Sequence, residues 1–315
     1  MNDKMFDKIK TIKINPEISA ENGVCVAVGM FDGVHLGHRA MLGRLIQESK
    51  RVNLPSAVFT FDIEDNPKNE SKLLTLSDKK IELFADLGID IVFSAAFSDI
   101  RMLSADDFVN NVLFGMLSAR SVVCGYDFRF GNDRLGDVEL IKKLLSPKGV
   151  SVITQEAVLK NCKPVSSTLI RSLIANGDVA NANELLGHTF SFKNEIVHGK
   201  KLGRTLGFPT INQAFPSRLA TPRFGVYAVR CNINGQFFCG VANIGVKPTV
   251  SDDGDIICET YLFDYSGDCY GCVAETEFLE FIREEKRFLS LDELKSQIEC
   301  DKETAMNILN ERGMK

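Results

Sequence analysis

The chain has 315 residues, 44% of them hydrophobic and 25% charged, the balance of an ordinary globular protein rather than a disordered or fibrous one. That length exceeds the usual size of a single core, so two domains are expected. The net charge of −5 is mild and no basic run marks a nucleic-acid groove. No stretch approaches the ~20 continuous apolar residues that span a bilayer. The N-terminal segment MNDKMFDKIKTIKINPE mixes acids with lysines where a signal peptide has an apolar core, so a cytoplasmic location is expected, with no membrane or nucleic-acid partner. Nine cysteines without regular spacing fit reduced thiols. Cys269-Tyr270-Gly271-Cys272 is the one Cys-x-x-Cys; it lacks a second pair for zinc and lies in strand-and-turn sequence, which favours coincidence.

Up to about Gly187 strand and helix signals alternate. Val24–Val28 reads as a buried strand, and Arg39–Lys50 as a helix with Met41, Leu42, Leu45 and Ile46 on one face. Between them stands Gly29-Met30-Phe31-Asp32-Gly33-Val34-His35-Leu36-Gly37-His38. Unpaired N–H groups and the dipole at a helix start attract anions, and histidines there can donate to phosphate oxygens. Gly29, Phe31, His35, Gly37 and His38 are therefore candidate nucleotide contacts. A metal held by His35, His38 and Asp32 is the minor alternative, and a tight turn the purely structural one.

Further strands are expected at Ala57–Phe61, Ile89–Phe93, Ser121–Gly125 and Val150–Thr154. Ser77 is expected to cap a helix closed by Gly88, Ser104-x-x-Asp107 resembles a capping box, and Leu135–Leu145 is a further helix. This pattern argues a mostly parallel α/β sheet with ligands at the strands' carboxyl ends. Gly125-Tyr126-Asp127-Phe128-Arg129-Phe130-Gly131 alternates rings with charges, which suits a pocket where a flat ring stacks, or else an ordinary loop exit. Val165-Ser166-Ser167-Thr168-Leu169-Ile170-Arg171 starts another helix; its hydroxyls and guanidinium form a phosphate clamp or a simple cap.

After Gly187 the signals turn to short strands, Gly225–Ile233, Gln236–Ile244, Ile256–Tyr265 and Gly271–Ile282. Asn234-Gly235 is a strong hairpin turn and Ser266-Gly267 a weaker one. Ser290-x-x-Glu293 opens a final helix through about Leu309. An antiparallel barrel closed by a helix is expected, with the two domains at 1–187 and 188–315. The segment from His198 to Asn212 is dense in glycine and lysine: Gly199, Lys201, Gly203 and Gly207 are candidate phosphate contacts. Thr210 and Asn212 would share one strand face, and two neutral oxygen ligands suit Mg²⁺ with phosphate and water. Glu259 stands among apolar neighbours, either as a buried base for an attacking hydroxyl or as a solvent-facing residue.

Taken in order, GMFDGVHLGH, GYDFRFGNDRLGD, VSSTLIR, HGKKLGRTLGFPTIN, NIGVKPT, ETYLFDY and FIREEKRF resemble the bifunctional riboflavin kinase/FAD synthetase family of bacteria, over nearly the whole chain. The resemblance implies an N-terminal Rossmann-like nucleotidylyltransferase domain and a C-terminal riboflavin kinase barrel. The barrel would phosphorylate riboflavin with ATP to FMN and ADP; the first domain would join FMN to the AMP part of a second ATP, giving FAD and pyrophosphate. It implies Thr210 and Asn212 as Mg²⁺ ligands, Glu259 as base, and His35, His38, Ser167, Thr168 and Arg171 on the adenylyl-transfer phosphates. Asp127, Phe128 and Arg283 would contact flavin.

One departure stands out: the family commonly has Thr-Phe-x-Pro-His-Pro where Thr60-Phe61 here leads into Asp62-Ile63-Glu64-Asp65. That leaves open a kinase with an impaired adenylyltransferase module. A non-catalytic flavin-binding regulator and a transferase acting on another phosphate ester also stand as alternatives. Oligomeric state is not readable from the sequence.

Overall fold

The computed structural model describes residues 10–13, 23–62, 72–96, 100–199, 207–246 and 255–314. The chain divides into two compact units, Met1–Ser71 with Leu76–Ser166, and Lys72–Thr75 with Ser167–Lys315.

The first unit is built on a parallel sheet of β1 (Lys10–Lys13), β2 (Val24–Val28), β3 (Ser56–Asp62), β4 (Ile91–Ala96), β5 (Ala119–Gly125) and β6 (Ser151–Gln155), in the order β1-β4-β3-β2-β5-β6. A short antiparallel ribbon, β7 (Leu159–Lys160) with β8 (Lys163–Pro164), follows β6. β2 is buried along its whole length, as its unbroken apolar run requires of a parallel strand covered on both faces. Cys25 and Ala27 on one face pack against α1 (Leu36–Val52) through Met41, Leu42 and Leu45, and against α2 (Ser77–Leu87) through Leu83 and Phe84. On the opposite face Phe59 meets Phe108, ring centroids 5.6 Å apart. The connections run outward from β2 in one direction and from β5 in the other. The crevice beyond the carboxyl ends of β2 and β5 is thus a topological switch point, where open α/β sheets bind ligands.

Local details differ from expectation where tertiary contacts decide. Ser77 is the first helical residue of α2 and Leu76 its uncapped start, so Ser77 is not the cap. Gly88 closes that helix at φ 83°. Ser104 does cap, its Oγ accepting the Asp107 N–H at 3.0 Å, but after the turn Ala105–Asp107 the chain widens into a π-helix, Phe108–Met116. α3 (Val138–Leu145) begins three residues later than expected because Asp137 caps it, accepting from the Leu140 N–H at 3.0 Å.

The second unit opens with α4 (Ser167–Ala175) and α5 (Val179–Leu186), followed by β9 (Ser191–Val197), β10 (Thr210–Ala214), β11 (Gly225–Ile233), β12 (Gln236–Val246), β13 (Ile256–Leu262) and β14 (Val273–Arg283). These six strands close into an antiparallel barrel, β10-β13-β12-β11-β14-β9. Asn234 and Gly235, at φ 51° and 83°, make the left-handed two-residue turn joining β11 to β12. Ser266-Gly267 makes no such hairpin, since β13 and β14 are not neighbours in the barrel.

The barrel interior holds several polar groups, and they satisfy one another. Gln213 donates to the Asn194 and Ala274 carbonyls and accepts from Thr276 at 2.7 Å. Finally α6 (Leu291–Glu311), capped by Ser290 accepting the Glu293 N–H at 3.1 Å, lays Ala305 and Leu309 over Val226, Ala228, Val241 and Leu279.

Candidate active sites

The turn between β2 and α1 is held in a shape the sequence does not favour. Phe31, Gly33 and Val34 all have positive φ, and 37° for the β-branched Val34 is strained backbone. The turn is anchored nonetheless: Gly29 N–H donates to the Phe59 carbonyl, Thr60 Oγ1 to the Met30 carbonyl at 3.2 Å, and Arg39 Nε to the Val34 carbonyl at 3.2 Å. His35 is the N-cap of α1, its Nδ1 accepting the His38 N–H at 3.3 Å. An accepting Nδ1 puts the proton of a neutral ring on Nε2, which becomes a donor.

The two imidazoles stack at 3.6 Å between centroids, and Phe31, fully buried, sets its ring edge-on to His38 at 5.3 Å. Gly37 leaves room for the pair, since a Cβ there would come within 3.1 Å of the His35 ring. Burial pushes His35 down to about 4 and His38 well below its ordinary value, the latter helped by His35 and the Lys80 cation. Both rings are neutral at pH 7. No acidic side chain occupies the first turn of α1, so its positive end is unopposed there.

His38 lines a cavity of about 580 Å³ at the switch point, with Gly29 and Met30 after β2, Phe61 in β3, Gly125 ending β5, and Phe108 of the π-helix. Asp127 and Phe128 stand on its wall as well, joined by Arg101, Arg129 and Arg134. Phe128 stacks on Phe130 at 5.4 Å, and Phe130 packs on Phe108 at 5.2 Å. Gly136 permits that arrangement, because a Cβ there would meet the Phe130 ring at 2.6 Å. Arg101 escaped the sequence reading, since it sits in an irregular segment whose only signal is its place in space. Among the described residues no three of His, Cys, Asp and Glu gather to hold a metal, so the His35–His38–Asp32 alternative has no supporting cluster.

On the barrel, Thr210 and Asn212 alternate with the inward-facing Ile211 and Gln213 of β10. Asn212 lies directly across from Glu259 of β13, and Glu259 across from Asn243 of β12, so three polar side chains form a row over adjacent strands. Glu259 is exposed on the outer face, while its neighbours Cys258 and Thr260 fill the interior; of the two alternatives left open for it the solvent-facing one holds, because strand alternation turns Glu259 outward. Gly199 makes space for Asn212, since a Cβ there would fall 2.4 Å from Asn212 Nδ2.

Two cavities meet on this face. One, of about 250 Å³, is walled by Thr210, Glu259, Tyr261, Arg283 and residues of α6; the other, of about 590 Å³, by Pro209, Thr210, Tyr265, Cys269 and Tyr270. Thr210 stands in both. Arg283 lines the first but its Nε and Nη2 are held by Asp301 at 2.8 and 2.7 Å, and its Nη1 by the Glu284 carbonyl.

Comparison with known proteins finds two family models along the chain. Residues 17–169 fit the family model described as FAD synthetase, and residues 186–309 that described as riboflavin kinase. A bifunctional riboflavin kinase/FMN adenylyltransferase of Pseudomonas fluorescens is 38% identical over 287 residues, 89% of this chain and 92% of its own. The Haemophilus influenzae protein of the same description is 37% identical over 295 residues, 91% of this chain and 95% of its own.

The chain belongs to the bifunctional riboflavin kinase/FMN adenylyltransferase family. As a riboflavin kinase and FAD synthetase it takes riboflavin to FMN and FMN to FAD, using ATP, and the family generally needs a divalent metal. A solved Streptococcus pneumoniae chain described as a macrolide-efflux protein superposes with a TM-score of 0.86 at 29% identity, over 95% of this chain and 99% of its own. That description belongs to the other protein; among the described residues here no helix is long and apolar enough to cross a membrane.

Of the remaining expected contacts in this kinase and adenylyltransferase, Gly207 is at φ 86° just ahead of β10, and Lys201 and Gly203 lie outside the described residues. So do Ile63, Glu64 and Asp65 of the departing segment, and Lys247, Pro248 and Thr249 of NIGVKPT. Ser167, Thr168 and Arg171 occupy the first turns of α4, which counts with the second unit; Arg171 Nε donates to the Lys72 carbonyl at 2.8 Å.

Proposed function

We propose that the cavity beyond β2 and β5 is where FMN and ATP are joined, with His38 on its wall as a neutral N–H donor to the phosphates and His35, the cap of α1 stacked on it, holding that ring in place. An FMN phosphate oxygen attacks the ATP α-phosphorus, and the bond to the departing pyrophosphate breaks. That donor and the end of α1 stabilise negative charge that grows on the leaving group, with no covalent enzyme intermediate. Asp127 and Phe128 are read as flavin contacts, Phe128 offering a ring face. Gly29 and Gly37 are read as nucleotide contacts, Gly29 on the wall and Gly37 in the first turn of α1. Phe31, enclosed behind His38, supports the pair rather than touching ligand. The phosphate roles of Ser167, Thr168 and Arg171 belong to the same proposal and rest on their motif.

On the barrel, the reading is carried by Thr210, which stands in both cavities: a hydroxyl bound in one meets a phosphate held in the other beside a single side chain. Riboflavin is assigned to the cavity under α6 and ATP to the one beside Tyr270. Glu259 takes the proton of the ribityl 5′-hydroxyl as its oxygen bonds the γ-phosphorus and ADP departs. The Thr210 hydroxyl and Asn212 amide oxygen are hard, neutral donors that suit Mg²⁺, an ion that keeps most of its shell for water and phosphate. Gly199, Lys201, Gly203 and Gly207 are read as phosphate contacts. Mg²⁺, when bound there, offsets charge on the transferring phosphate.

Lys80 bears on the Asp62–Asp65 departure. It is buried in α2, with Nζ 3.3 Å from both Thr60 Oγ1 and the Phe61 carbonyl. Lys80 thus keeps a cation at the end of β3, where the departing segment begins, and we take the adenylyltransferase to be active. Nine free cysteines suit a cytoplasmic enzyme. The deciding assay supplies purified protein with riboflavin, ATP and Mg²⁺ and separates the products by chromatography. FMN followed by FAD is expected; FMN alone would sink the adenylyltransferase reading, and neither product would sink both.

A further inference from the structure

The Cys-x-x-Cys has a specific place in the second unit. Residues 269–272 form a hydrogen-bonded turn, the Cys272 N–H donating to the Cys269 carbonyl at 3.1 Å, with Gly271 at φ 77°. The ends of such a turn lie within ~7 Å at Cα, overlapping the ~4.4–6.8 Å that a disulfide spans. Cys269 is buried and faces the cavity beside Tyr270 and Thr210. Cys272 is half-buried, with Asn234 Nδ2 aimed at its sulfur from 3.7 Å.

The turn is also tied to the metal-binding face. Gly271 N–H donates to the Ile196 carbonyl and Ile196 N–H to the Cys272 carbonyl, fastening the turn to β9. Tyr270 sets its ring on His198 at 3.8 Å between centroids, and the next residue is Gly199, which cradles Asn212. A change at the turn therefore reaches Asn212 through Tyr270, His198 and Gly199.

We propose that Cys269 and Cys272 form a reversible thiol-modification site which closes to a disulfide under a hydroperoxide and slows phosphoryl transfer in the kinase site. This inference rests on the kinase reading of the barrel. With hydrogen peroxide as the oxidant, the Cys272 sulfur gives up its proton and attacks one peroxide oxygen; the O–O bond breaks, a sulfenic acid forms, and the departing hydroxide takes that proton to leave as water. Cys269 sulfur then attacks the Cys272 sulfur, the S–OH bond breaks, and the hydroxyl leaves as a second water carrying the Cys269 proton. Two thiols and one peroxide thus give a disulfide and two waters, and a dithiol reverses the step by exchange. Cys272 is the first nucleophile because it is the more accessible and has an amide donor for its negative charge.

The test treats the full-length protein with hydrogen peroxide and follows FMN formation from riboflavin, with FAD formation from supplied FMN as a control in the same tube. Peptide mass spectrometry should find residues 269 and 272 in one peptide that has lost two hydrogens. Kinase activity should fall ~10-fold, the effect typical of disturbing a metal site's supporting residues, recover with dithiothreitol, and leave FAD formation unchanged. C272S should keep the untreated kinase activity and lose the sensitivity to peroxide. No Cys269–Cys272 bridge at peroxide levels that oxidise the exposed Cys162 and Cys300 would overturn the proposal, as would equal loss of activity in C272S. Absence of kinase activity before any treatment would instead count against the kinase reading itself.

Discussion

His35 and His38 stack nearly parallel, 14° between ring planes, and the backbone N–H of the second is bound by the ring of the first. One hydrogen bond thereby caps a helix, fixes a tautomer and aligns two rings. Only His38 reaches the cavity wall, so it carries the first prediction. His38→Ala should lower FAD formation from FMN by ~10²–10³-fold, the loss seen when one preorganised donor is removed from an oxyanion site. FMN formation should be unaffected. Loss of both activities in a folded variant would contradict separate sites.

The buried pair also makes stability depend on pH. In the unfolded chain a histidine gains its proton near pH 6.5, whereas folded His35 holds off until about 4. Between those values the unfolded state binds more protons, so the contribution is fully present above about 6.5 and is lost as pH falls toward 4. For His35 alone the loss is on the order of 3 kcal/mol. Denaturant unfolding between pH 7.5 and 4.5 should show it, and His35→Asn, which can still cap α1, should flatten the slope. An unchanged slope would mean that His35 titrates normally in the folded protein.

Glu259 gives the complementary prediction on the barrel. Glu259→Gln keeps the shape and removes the proton acceptor, so FMN formation should fall ~10²–10⁴-fold, the range for a positioned general base. FAD production from supplied FMN should continue. Because Glu259 is exposed and outside the core, its substitution should leave the melting temperature within a degree or two. A large drop in stability would recast it as a structural residue.

The period-2 rule put Thr210 and Asn212 on one face from sequence alone, and the Asn-Gly turn located the β11–β12 hairpin. The unbroken apolar run of β2 and the Ser290-x-x-Glu293 box were equally legible, because each signal is local. Glu259 was undecided for a physical reason: its burial depends on which barrel face α6 covers. Ser266-Gly267 misled because the strand order of the barrel is not sequential. Arg101 reaches the cavity wall and Lys80 the end of β3 only through tertiary packing, and no spacing announces them. The positive φ of Val34 runs against its own propensity, so no sequence rule would place it there.

Gly199 offers a test of the proposed metal site that does not touch a proposed ligand. A methyl group there would meet the Asn212 amide, backbone against a side chain already enclosed on its strand face. Gly199→Ala should therefore displace Asn212 and raise the Mg²⁺ concentration needed for half-maximal FMN formation ~10-fold or more. The Mg²⁺ requirement of FAD formation should not move. If the kinase requirement were unchanged, Asn212 would not be a ligand.

Asp301 decides whether α6 is held to the barrel mainly by charge or by its apolar stripe. The carboxylate is 3% exposed and grips Arg283 with both oxygens, while Gln297 donates to the same group at 2.9 Å. Removing one partner of such a pair strands the other in a poorly solvated wall, which costs about 3–5 kcal/mol. The apolar contacts of Ala305 and Leu309 remain, so Asp301→Ala should loosen the helix without releasing the barrel. Riboflavin should then bind more weakly, because Arg283 and α6 form part of the cavity wall. Arg283→Met in the Asp301→Ala background should restore much of the lost stability, since a buried unpaired charge is replaced by an apolar chain. Recovery of stability without recovery of riboflavin affinity would assign Arg283 to flavin contact; recovery of both would make it a strap for the helix.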